Sequence, residues 1–467
     1  MTARFLCPPA VPVLLLAAAS AGAGSGVDVD GTTALHWAVR RDDASTVARL
    51  LRRGADPDAA NRYGVTPLML ASVNGNAEIS TALLEAGADP GGSLPSGETV
   101  LMTAARTGSE QVIRALLNYG ADPNVAEHTQ GETALIWAVA EDHSEAALAL
   151  LEGGANVNAR SAPTTFPKLD FGASGIVPMA LPKGQFTALM YASRQGALDS
   201  ARVLIDRGAD IDLADPDGTT ALVLAIINAH YDLAAFLLDR GADPTIADAS
   251  GMGALYAAVD MHSLTWMQGR PAPKTTDRLT SLDLITQILD QRADPDQALV
   301  SPLLLRHHAL GDPVLGAGAT SLMRSAKTGD TAVMRLLLDY GADSTLLQKN
   351  GTTMLMVAAG LGWRDGGGAL PVFDRGSEPD AIEVMKMCLA HGADVNTAND
   401  AGDTALHGAA IRGADSLVTF LVEHGARVDA KNRQGRTPLD IAMRRQDRSP
   451  STVVLLRTLS QGEPPHP

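Results

Sequence analysis

Residues 50–71, LLRRGADPDAANRYGVTPLMLA, place a doubled leucine, Gly-Ala-Asp-Pro and Gly-Val-Thr-Pro-Leu within one short span. The same elements return along the rest of the chain. Gly-Ala-Asp or a near variant begins at Gly54, Gly87, Gly120, Gly154, Gly208, Gly241, Gly341, Gly392 and Gly425, and Arg292 takes the glycine position of a further copy. Self-similarity at a fixed period of this kind is the signature of a stacked repeat protein.

A threonine element returns in step with the Gly-Ala-Asp element. Most of its copies are 33 residues apart, and Gly253 takes the threonine position of one of them. The threonines are Thr33, Thr66, Thr99, Thr133, Thr187, Thr220, Thr320, Thr353, Thr404 and Thr437. The length of 467 residues alone suggests about three domains. The eleven copies predict one long array instead.

The copy that starts at Thr66 shows how the first half of a repeat should fold. The Thr66 hydroxyl is suited to accept a hydrogen bond from the unpaired N–H groups of a helix start, and Pro67 fits the first helical position. The apolar residues that follow predict a first helix of about two turns. This helix should end at Asn74-Gly75.

The second half of the repeat predicts another helix and a loop. The helix should begin near Asn76, and Ile79, Ala82 and Leu83 have the spacing that lines one side of it. Gly87 favours the left-handed conformation that ends a helix, and turn-forming residues follow it. Because two short helices cannot bury their apolar sides alone, neighbouring repeats must stack, and we expect an elongated array.

These motifs resemble the ankyrin repeat family, whose Thr-Pro-Leu-His-x-Ala signature is approached by TALHWA at 33–38, TPLMLA at 66–71 and TALHGA at 404–409. The resemblance implies an all-α solenoid of stacked helix-turn-helix units with extended hairpin loops. In that family the histidine ties neighbouring units by hydrogen bonds. Here it is kept only as His36 and His407. Apolar packing must take over that role at Met69, Met102, Ile136, Met190, Val223, Tyr256, Met323 and Met356.

Four inserts interrupt the period. They lie at 161–184, 261–278, 298–317 and 361–378, and their Pro- and Gly-rich parts predict loops rather than helices. The resulting organisation is repeats 1–4 at 28–160, repeats 5–11 at 185–460 and a disordered tail at 461–467.

The inserts also supply the candidate binding residues, because function in repeat arrays concentrates in loops on one side of the scaffold. The arms at 261–278 and 361–378 leave repeats on either side of repeat eight and carry modestly complementary charges. We predict that they meet there and form a partner-binding patch. The candidate residues are Trp266, Arg270, His307, His308, Trp363 and Arg364. The alternative is that the inserts only pack against the scaffold.

The first residues predict export. An apolar run from Val11 to Ala19 precedes Ala-x-Ala sites, which predicts a signal peptide at 1–23 and a mature start near Gly22 or Gly24. We expect an exported ankyrin repeat protein of bacterial type, periplasmic or secreted. A misassigned start or an uncleaved anchor is the alternative to the signal peptide, and a cytoplasmic location is the alternative to export.

The net charge excludes some classes of binding partner, and the two cysteines exclude a disulfide framework. The net charge of −16 argues against nucleic acid or anionic lipid bound over a broad surface, and no later segment has the apolar length of a membrane span. Cys7 would leave with the signal peptide, and Cys388 is predicted to be a buried lone thiol. We expect a monomer without a disulfide framework.

The sequence contains no catalytic motif and predicts no cofactor and no metal site. The aspartates at 210, 212, 215 and 217 are interpreted as turn residues, since the calcium-loop spacing is missing. Asp260 and His262, with the histidines at 307 and 308, form a weaker metal alternative.

The leading functional hypothesis is a non-enzymatic scaffold that holds a protein or peptide partner in an exported compartment. Two alternatives stay open. One is a small-ligand or metal-dependent protein whose pocket is formed by the inserts of repeats 7–9. The other is an intracellular effector or regulator.

Overall fold

The computed structural model describes residues 27–164, 184–263, 276–301, 315–362, 376–445 and 449–461. Within these residues the chain forms 22 helices, arranged as successive pairs, and its extended segments form isolated bridges. The predicted all-α repeat fold is therefore confirmed. The chain divides into two compact units, with unit 1 at 27–164 and 184–216 and unit 2 in the described residues from 217 onward.

Unit 1 contains five helix pairs. First helices contact first helices of the neighbouring pair, and second helices contact second helices. The helices are α1 (Ala34–Arg40), α2 (Ala44–Arg52), α3 (Pro67–Asn74), α4 (Ala77–Glu85), α5 (Val100–Thr107), α6 (Glu110–Asn118), α7 (Ala134–Ala140), α8 (Ser144–Glu152), α9 (Ala188–Gln195) and α10 (Leu198–Asp206).

Unit 2 contains six pairs among the residues described. The helices are α11 (Ala221–Ile227), α12 (Tyr231–Asp239), α13 (Ala254–Ser263), α14 (Ser281–Asp290), α15 (Ser321–Thr328), α16 (Thr331–Asp339), α17 (Met354–Ala359), α18 (Glu378–Ala390), α19 (Ala405–Arg412), α20 (Asp415–Glu423), α21 (Pro438–Met443) and α22 (Pro450–Ser460).

The helix starts follow the predicted threonine chemistry. The Thr66 side chain accepts a hydrogen bond from Met69 N at 3.3 Å, and Pro67 is the first residue of α3. The helix ends at Asn74, and Gly75 follows with a φ of +68°. The second helix of this pair is capped by Asn76, as predicted.

First and second helices differ in burial. In α3 six successive residues from Pro67 to Ser72 are buried, whereas α4 buries only one side, formed by Ile79, Ser80, Leu83 and Leu84. First helices therefore lie between the second helices and the hairpin loops. Their continuous burial explains why their sequences are apolar nearly all round.

The Gly-Ala-Asp element does more than end a helix. Asn124 Oδ1 accepts a hydrogen bond from Asn156 N of the next repeat at 2.7 Å, and Asn124 Nδ2 donates to Gly154 O at 3.1 Å. Asn396 makes the same pair of bonds to Arg427 N and Gly425 O. An asparagine two residues after the aspartate position thus joins two consecutive repeats.

The loops between pairs form antiparallel hairpins, closed for example by the bridge between Ser93 and Thr99. Successive hairpins are joined by backbone hydrogen bonds such as His128 N to Ser96 O at 2.9 Å and Lys349 N to Ala317 O at 2.8 Å. These bonds add a layer of repeat-to-repeat contacts beside the first helices.

The histidine position behaves as the resemblance implies. His36 Nδ1 contacts Thr33 Oγ1 at 2.8 Å, and His36 Nε2 contacts Val65 O of the next repeat at 3.0 Å. His407 makes the equivalent contacts to Thr404 Oγ1 and Arg436 O. The apolar residues at this position in the other repeats are buried.

The described ends of the inserts belong to the scaffold. Helix α13 continues to Ser263, inside the segment 261–278, and Glu378 is the first residue of α18. Ala298 pairs with Thr320, and Pro163 pairs with Gly184, so the ends of the two loop inserts extend their hairpins. The arms are therefore shorter than the sequence indicated.

Two further predictions concern the core and the membrane. Cys388 is free and buried, as predicted, and burial raises the pKa of its thiol to about 12. In the part of the chain that the structure describes, no helix combines the length and apolar character needed to span a bilayer.

Candidate functional site

Two positions of the first helix face the same way in every repeat of unit 1. They are the fourth and the seventh residue after the capping threonine, one helical turn apart. Both tryptophans of the described chain, Trp37 and Trp137, occupy the fourth position, and Tyr191 occupies it in repeat five. Arginines occupy the seventh position as Arg40, Arg106 and Arg194. We call these six residues, together with Phe186, the aromatic–arginine face.

The centre of the face joins two consecutive repeats. Arg106 of repeat three lies over the ring of Trp137 of repeat four, with its Cζ atom 5.1 Å from the ring centroid. The same guanidinium lies 3.4 Å from Glu98 Oε1, and Thr103 Oγ1 donates to this oxygen at 3.1 Å. Trp137 is only 7% exposed, so Arg106, whose side chain is 21% exposed, presents the outer surface of this cluster.

A second cluster lies in repeats four and five. Tyr191 Oη donates to Glu132 Oε1 at 2.5 Å, and Arg194 stacks over the Tyr191 ring at 4.7 Å and over the Phe186 ring at 5.8 Å. Burial raises the pKa of Glu132, although the hydrogen bond from Tyr191 acts in the opposite direction. The cluster fixes the planar guanidinium of Arg194 at the surface.

The first repeat carries a more open cluster. Arg40 lies over the Trp37 ring at 5.4 Å, and Trp37 Nε1 donates to Asp28 Oδ2 at 2.8 Å. Trp37 is half-buried and Arg40 is exposed. An indole and an arginine are therefore presented to solvent in a fixed geometry.

The chemistry of the face suits protein recognition. Tryptophan, tyrosine and arginine are the residues that most often dominate binding energy at protein interfaces. Here their side chains are held by stacking and by carboxylates, so little rotamer entropy is lost when a partner binds. Its surface presents the arginine donors and the half-buried Trp37 ring, while the other three rings are buried and support the arginines from below.

The residues selected from the sequence are not among those of this face. Trp266, Arg270, His307, His308, Trp363 and Arg364 all lie outside the described residues. Their role in a partner-binding patch stays a prediction.

The two described members of the metal alternative do not point to one common site. Asp260 Oδ1 accepts a hydrogen bond from Arg324 Nε at 2.7 Å in a buried ion pair. His262 Nδ1 contacts Ser281 Oγ at 2.7 Å, and its Nε2 lies 3.1 Å from Asp330 Oδ2. His262 therefore bridges the starts of helices α14 and α16. Throughout the described ranges, no three His, Cys, Asp or Glu side chains are grouped to hold a metal ion.

The acidic turn at 210–217 shows a turn-forming contact. Asp210 Oδ1 accepts a hydrogen bond from Asp212 N at 3.2 Å. This geometry is typical of an aspartate that stabilises its own turn.

The aromatic–arginine face was not recognised from the sequence, although a signal was present. Trp37, Trp137 and Tyr191 share one register position, four residues after the threonine. Aligning the repeats on the threonine and comparing each column would have shown three aromatic residues at a position that is aliphatic or small in the other repeats except repeat eight, which has Arg324 there.

A family model described as ankyrin repeats in three copies matches residues 7–93, 87–161, 174–263 and 377–460, which is well over half of the chain.

Curated relatives match shorter segments. The transient receptor potential cation channel subfamily A member 1 homolog of Caenorhabditis elegans is 29% identical over 125 residues, 27% of this chain and 9% of that protein. The B-cell lymphoma 3 protein homolog of Mus musculus is 32% identical over 130 residues, 28% of this chain and 25% of that protein. The matched segments thus span a quarter or less of these relatives.

Solved ankyrin repeat domains are also similar. The human ASB11 domain is 22% identical with a TM-score of 0.42, covering 56% of this chain and 99% of that one. The Bcl-3 domain is 26% identical with a TM-score of 0.40, covering 49% of this chain and 94% of that one.

Proposed function

Because the chain belongs to the ankyrin repeat family, we propose that it is a non-enzymatic scaffold that binds a protein partner through the aromatic–arginine face of unit 1. Membership of this family supports a role in protein interaction. The choice of surface rests on the structure of unit 1.

The observation that supports this surface is the stacking of Arg106 on Trp137 across a repeat boundary. The repeat pattern does not itself require this pair, because repeat two carries Leu70 and Val73 at the same positions. A stacked arginine that Glu98 also holds is a pre-organised anchor for a partner carboxylate or carbonyl.

The contacts of two buried carboxylates support a non-enzymatic role. The buried carboxylates Glu98 and Glu132 are each engaged by hydroxyl donors of the scaffold, Thr103 and Tyr191. Their contacts hold the face in place, which is the work of a binding surface rather than of an acid–base pair.

Site-specific photo-crosslinking in the native cell tests the proposal. A photoreactive amino acid at position 106 should form a covalent adduct with a protein partner. The matched control places the same amino acid at Arg202, an exposed arginine on the second helix α10. Adducts at neither position, or equally at both, would rule out this face as the specific binding surface.

We propose in addition that the scaffold works in an exported compartment, periplasmic or secreted. The support is the apolar run from Val11 to Ala19 and the small residues after it. N-terminal sequencing of the mature protein tests this proposal. A start at Gly22 or Gly24 agrees with export, whereas a cytoplasmic chain that retains Phe5 and Leu6 favours an intracellular regulator.

A further inference from the structure

The last repeat reverses the charge of the rest of the chain. Residues 427–445 contain six arginines and lysines against two aspartates, whereas the whole protein has a net charge of −16. A local basic surface on an acidic protein attracts acidic groups over a short range. The charge alone does not select a ligand, so the shape of the surface matters.

The basic residues border a groove between the last hairpin and the first helices of the last two repeats. Ile411 and Ile441 supply apolar side chains to it, and Asn432, Gln434, Arg436 and Arg444 supply polar ones. We call this the C-terminal groove. Its volume of about 280 Å³ lies just under the about 300–1,000 Å³ of typical small-molecule pockets. It suits a few side chains of a larger ligand better than a small molecule bound whole.

The carboxylates in and beside the groove are already engaged. Asp403 Oδ1 accepts a hydrogen bond from Asn432 Nδ2 at 2.8 Å. Asp440 Oδ2 accepts from Thr437 N at 2.8 Å and from Thr437 Oγ1 at 2.9 Å, and the first of these bonds is the main reason why its pKa is lowered.

Arg445 of the groove lining donates a hydrogen bond to Ile411 O at 2.7 Å, whereas three other arginines in and beside the groove are open to a ligand. Among the residues described, Arg433, Arg436 and Arg444 take part in no salt bridge, and Arg433 and Arg444 are exposed. Arg436 and Arg444 thus line the apolar strip with no carboxylate oxygen within 4 Å in the described part of the chain, and the exposed Arg433 lies in sequence between the lining residues Asn432 and Gln434. A ligand that fits must carry carboxylates and an aliphatic side chain together.

We propose that the C-terminal groove binds an extended acidic segment of a protein partner. An aliphatic side chain of that segment packs on Ile411 and Ile441, and flanking Asp or Glu residues pair with Arg433, Arg436 and Arg444. The proposal rests on the scaffold function proposed above but concerns a different surface, in unit 2. Arginine suits this role because its guanidinium binds a carboxylate through two parallel hydrogen bonds.

Fluorescence anisotropy on the full chain tests the proposal. The probe is a labelled peptide of about ten residues in which glutamate alternates with leucine, long enough at about 3.3 Å per residue to cross the groove. We expect saturable binding that weakens as salt rises, because screening shortens the range of charge attraction. A peptide with lysine in place of glutamate should not bind.

Matched variants locate the binding site. Arg433→Gln, Arg436→Gln and Arg444→Gln together should weaken binding of the acidic peptide at least tenfold. The backbone hydrogen bonds of Arg436 to Asn432 and His407 do not involve its side chain and persist in this variant. The control is Arg49→Gln, Arg52→Gln and Arg53→Gln, which removes the same charge from exposed arginines at helix α2 and should leave affinity unchanged.

Three outcomes would overturn the proposal. They are no binding of the acidic peptide, equal weakening by the two triple variants, or arginine-dependent binding of phosphatidylserine vesicles without binding of the peptide. The last outcome would assign the groove to a membrane surface. Crosslinking at position 106 uses a different surface and an independent readout, so failure here is distinguishable from failure of the scaffold function.

Discussion

His36 and His407 show how one side chain can join two repeats. Each ring nitrogen has its own partner, the capping threonine on one side and a carbonyl of the next repeat on the other. Burial lowers the pKa of both histidines, and the backbone carbonyl contacts act in the opposite direction. The two imidazole rings are therefore uncharged at neutral pH, and each joins two repeats through its hydrogen bonds.

This arrangement predicts a pH-dependent stability. In the unfolded chain the histidines take up protons below a pKa of about 6.5, whereas the folded chain takes them up only at lower pH. Their contribution is therefore fully present above about pH 6.5 and is lost as the pH falls. The double variant His36→Met, His407→Met should show a shallower fall of the urea midpoint between about pH 7 and about pH 5.

The variant copies the methionine found at this position in five other repeats, Met69, Met102, Met190, Met323 and Met356. Val65 O and Arg436 O keep their hydrogen bonds from Asn61 N and Asn432 N, so no carbonyl is left without a donor. His391→Met at an exposed site serves as the control. An unchanged pH slope in the double variant would show that these histidines do not titrate with unfolding.

Most of the second helices end close to a residue in the left-handed conformation. In repeat eight, Gly341 follows the helix end with a φ of +90°, and an added Cβ would meet no atom within 4 Å. Glycine is thus favoured there by the backbone conformation and not by lack of space. In repeat seven, Arg292 adopts the same region with a φ of +64°.

Arg292→Gly should therefore stabilise the protein. A non-glycine residue in the left-handed region is strained by about 1 kcal/mol, and part of the gain is offset by the greater freedom of glycine in the unfolded chain. We expect a higher urea midpoint, with the free energy of unfolding raised by less than about 1 kcal/mol. The exposed Arg292 side chain loses little packing. The reverse change, Gly341→Arg, should lower the urea midpoint. Midpoint shifts of the same sign in the two variants would contradict the strain assigned to Arg292.

The distance in the chain over which a contact acts explains which features the sequence could predict. Thr66 and Gly75 act within their own repeat, so their identities are enough to place the ends of α3. The stack of Arg106 on Trp137 joins the seventh position of one repeat to the fourth position of the next. Such a contact depends on how far one repeat rotates against its neighbour. The sequence of a single repeat does not determine that angle.

The buried pair of Asp260 and Arg324 failed to emerge from the sequence for a related reason. The two residues are 64 positions apart, separated by two inserts, yet they occupy neighbouring repeats. The sequence grouped Asp260 with His262 because they are close in the chain. The helix directs the two side chains to different partners, since residues two apart do not face the same side.

At the scale of the whole molecule, stability depends on contacts between neighbours. Each repeat of unit 1 contacts the adjacent ones through first helices, second helices and hairpins. In such arrays the free energy of folding is close to a sum over repeats and their interfaces. A segment with several complete interfaces should therefore fold without the remainder of the chain.

We predict that a fragment of residues 27–216, which contains the five helix pairs of unit 1, folds on its own. Circular dichroism should show a helical spectrum and a cooperative urea transition. A shorter fragment, 27–164, lacks α9 and α10 and with them the hydrogen bond from Tyr191 to the buried Glu132. It should remain helical but unfold at lower urea, because one interface is lost and an acidic side chain loses its partner. If the longer fragment is disordered, unit 1 does not hold a core of its own. If both fragments unfold at the same urea concentration, the interface between repeats four and five contributes nothing to stability, and the nearest-neighbour description fails for this protein.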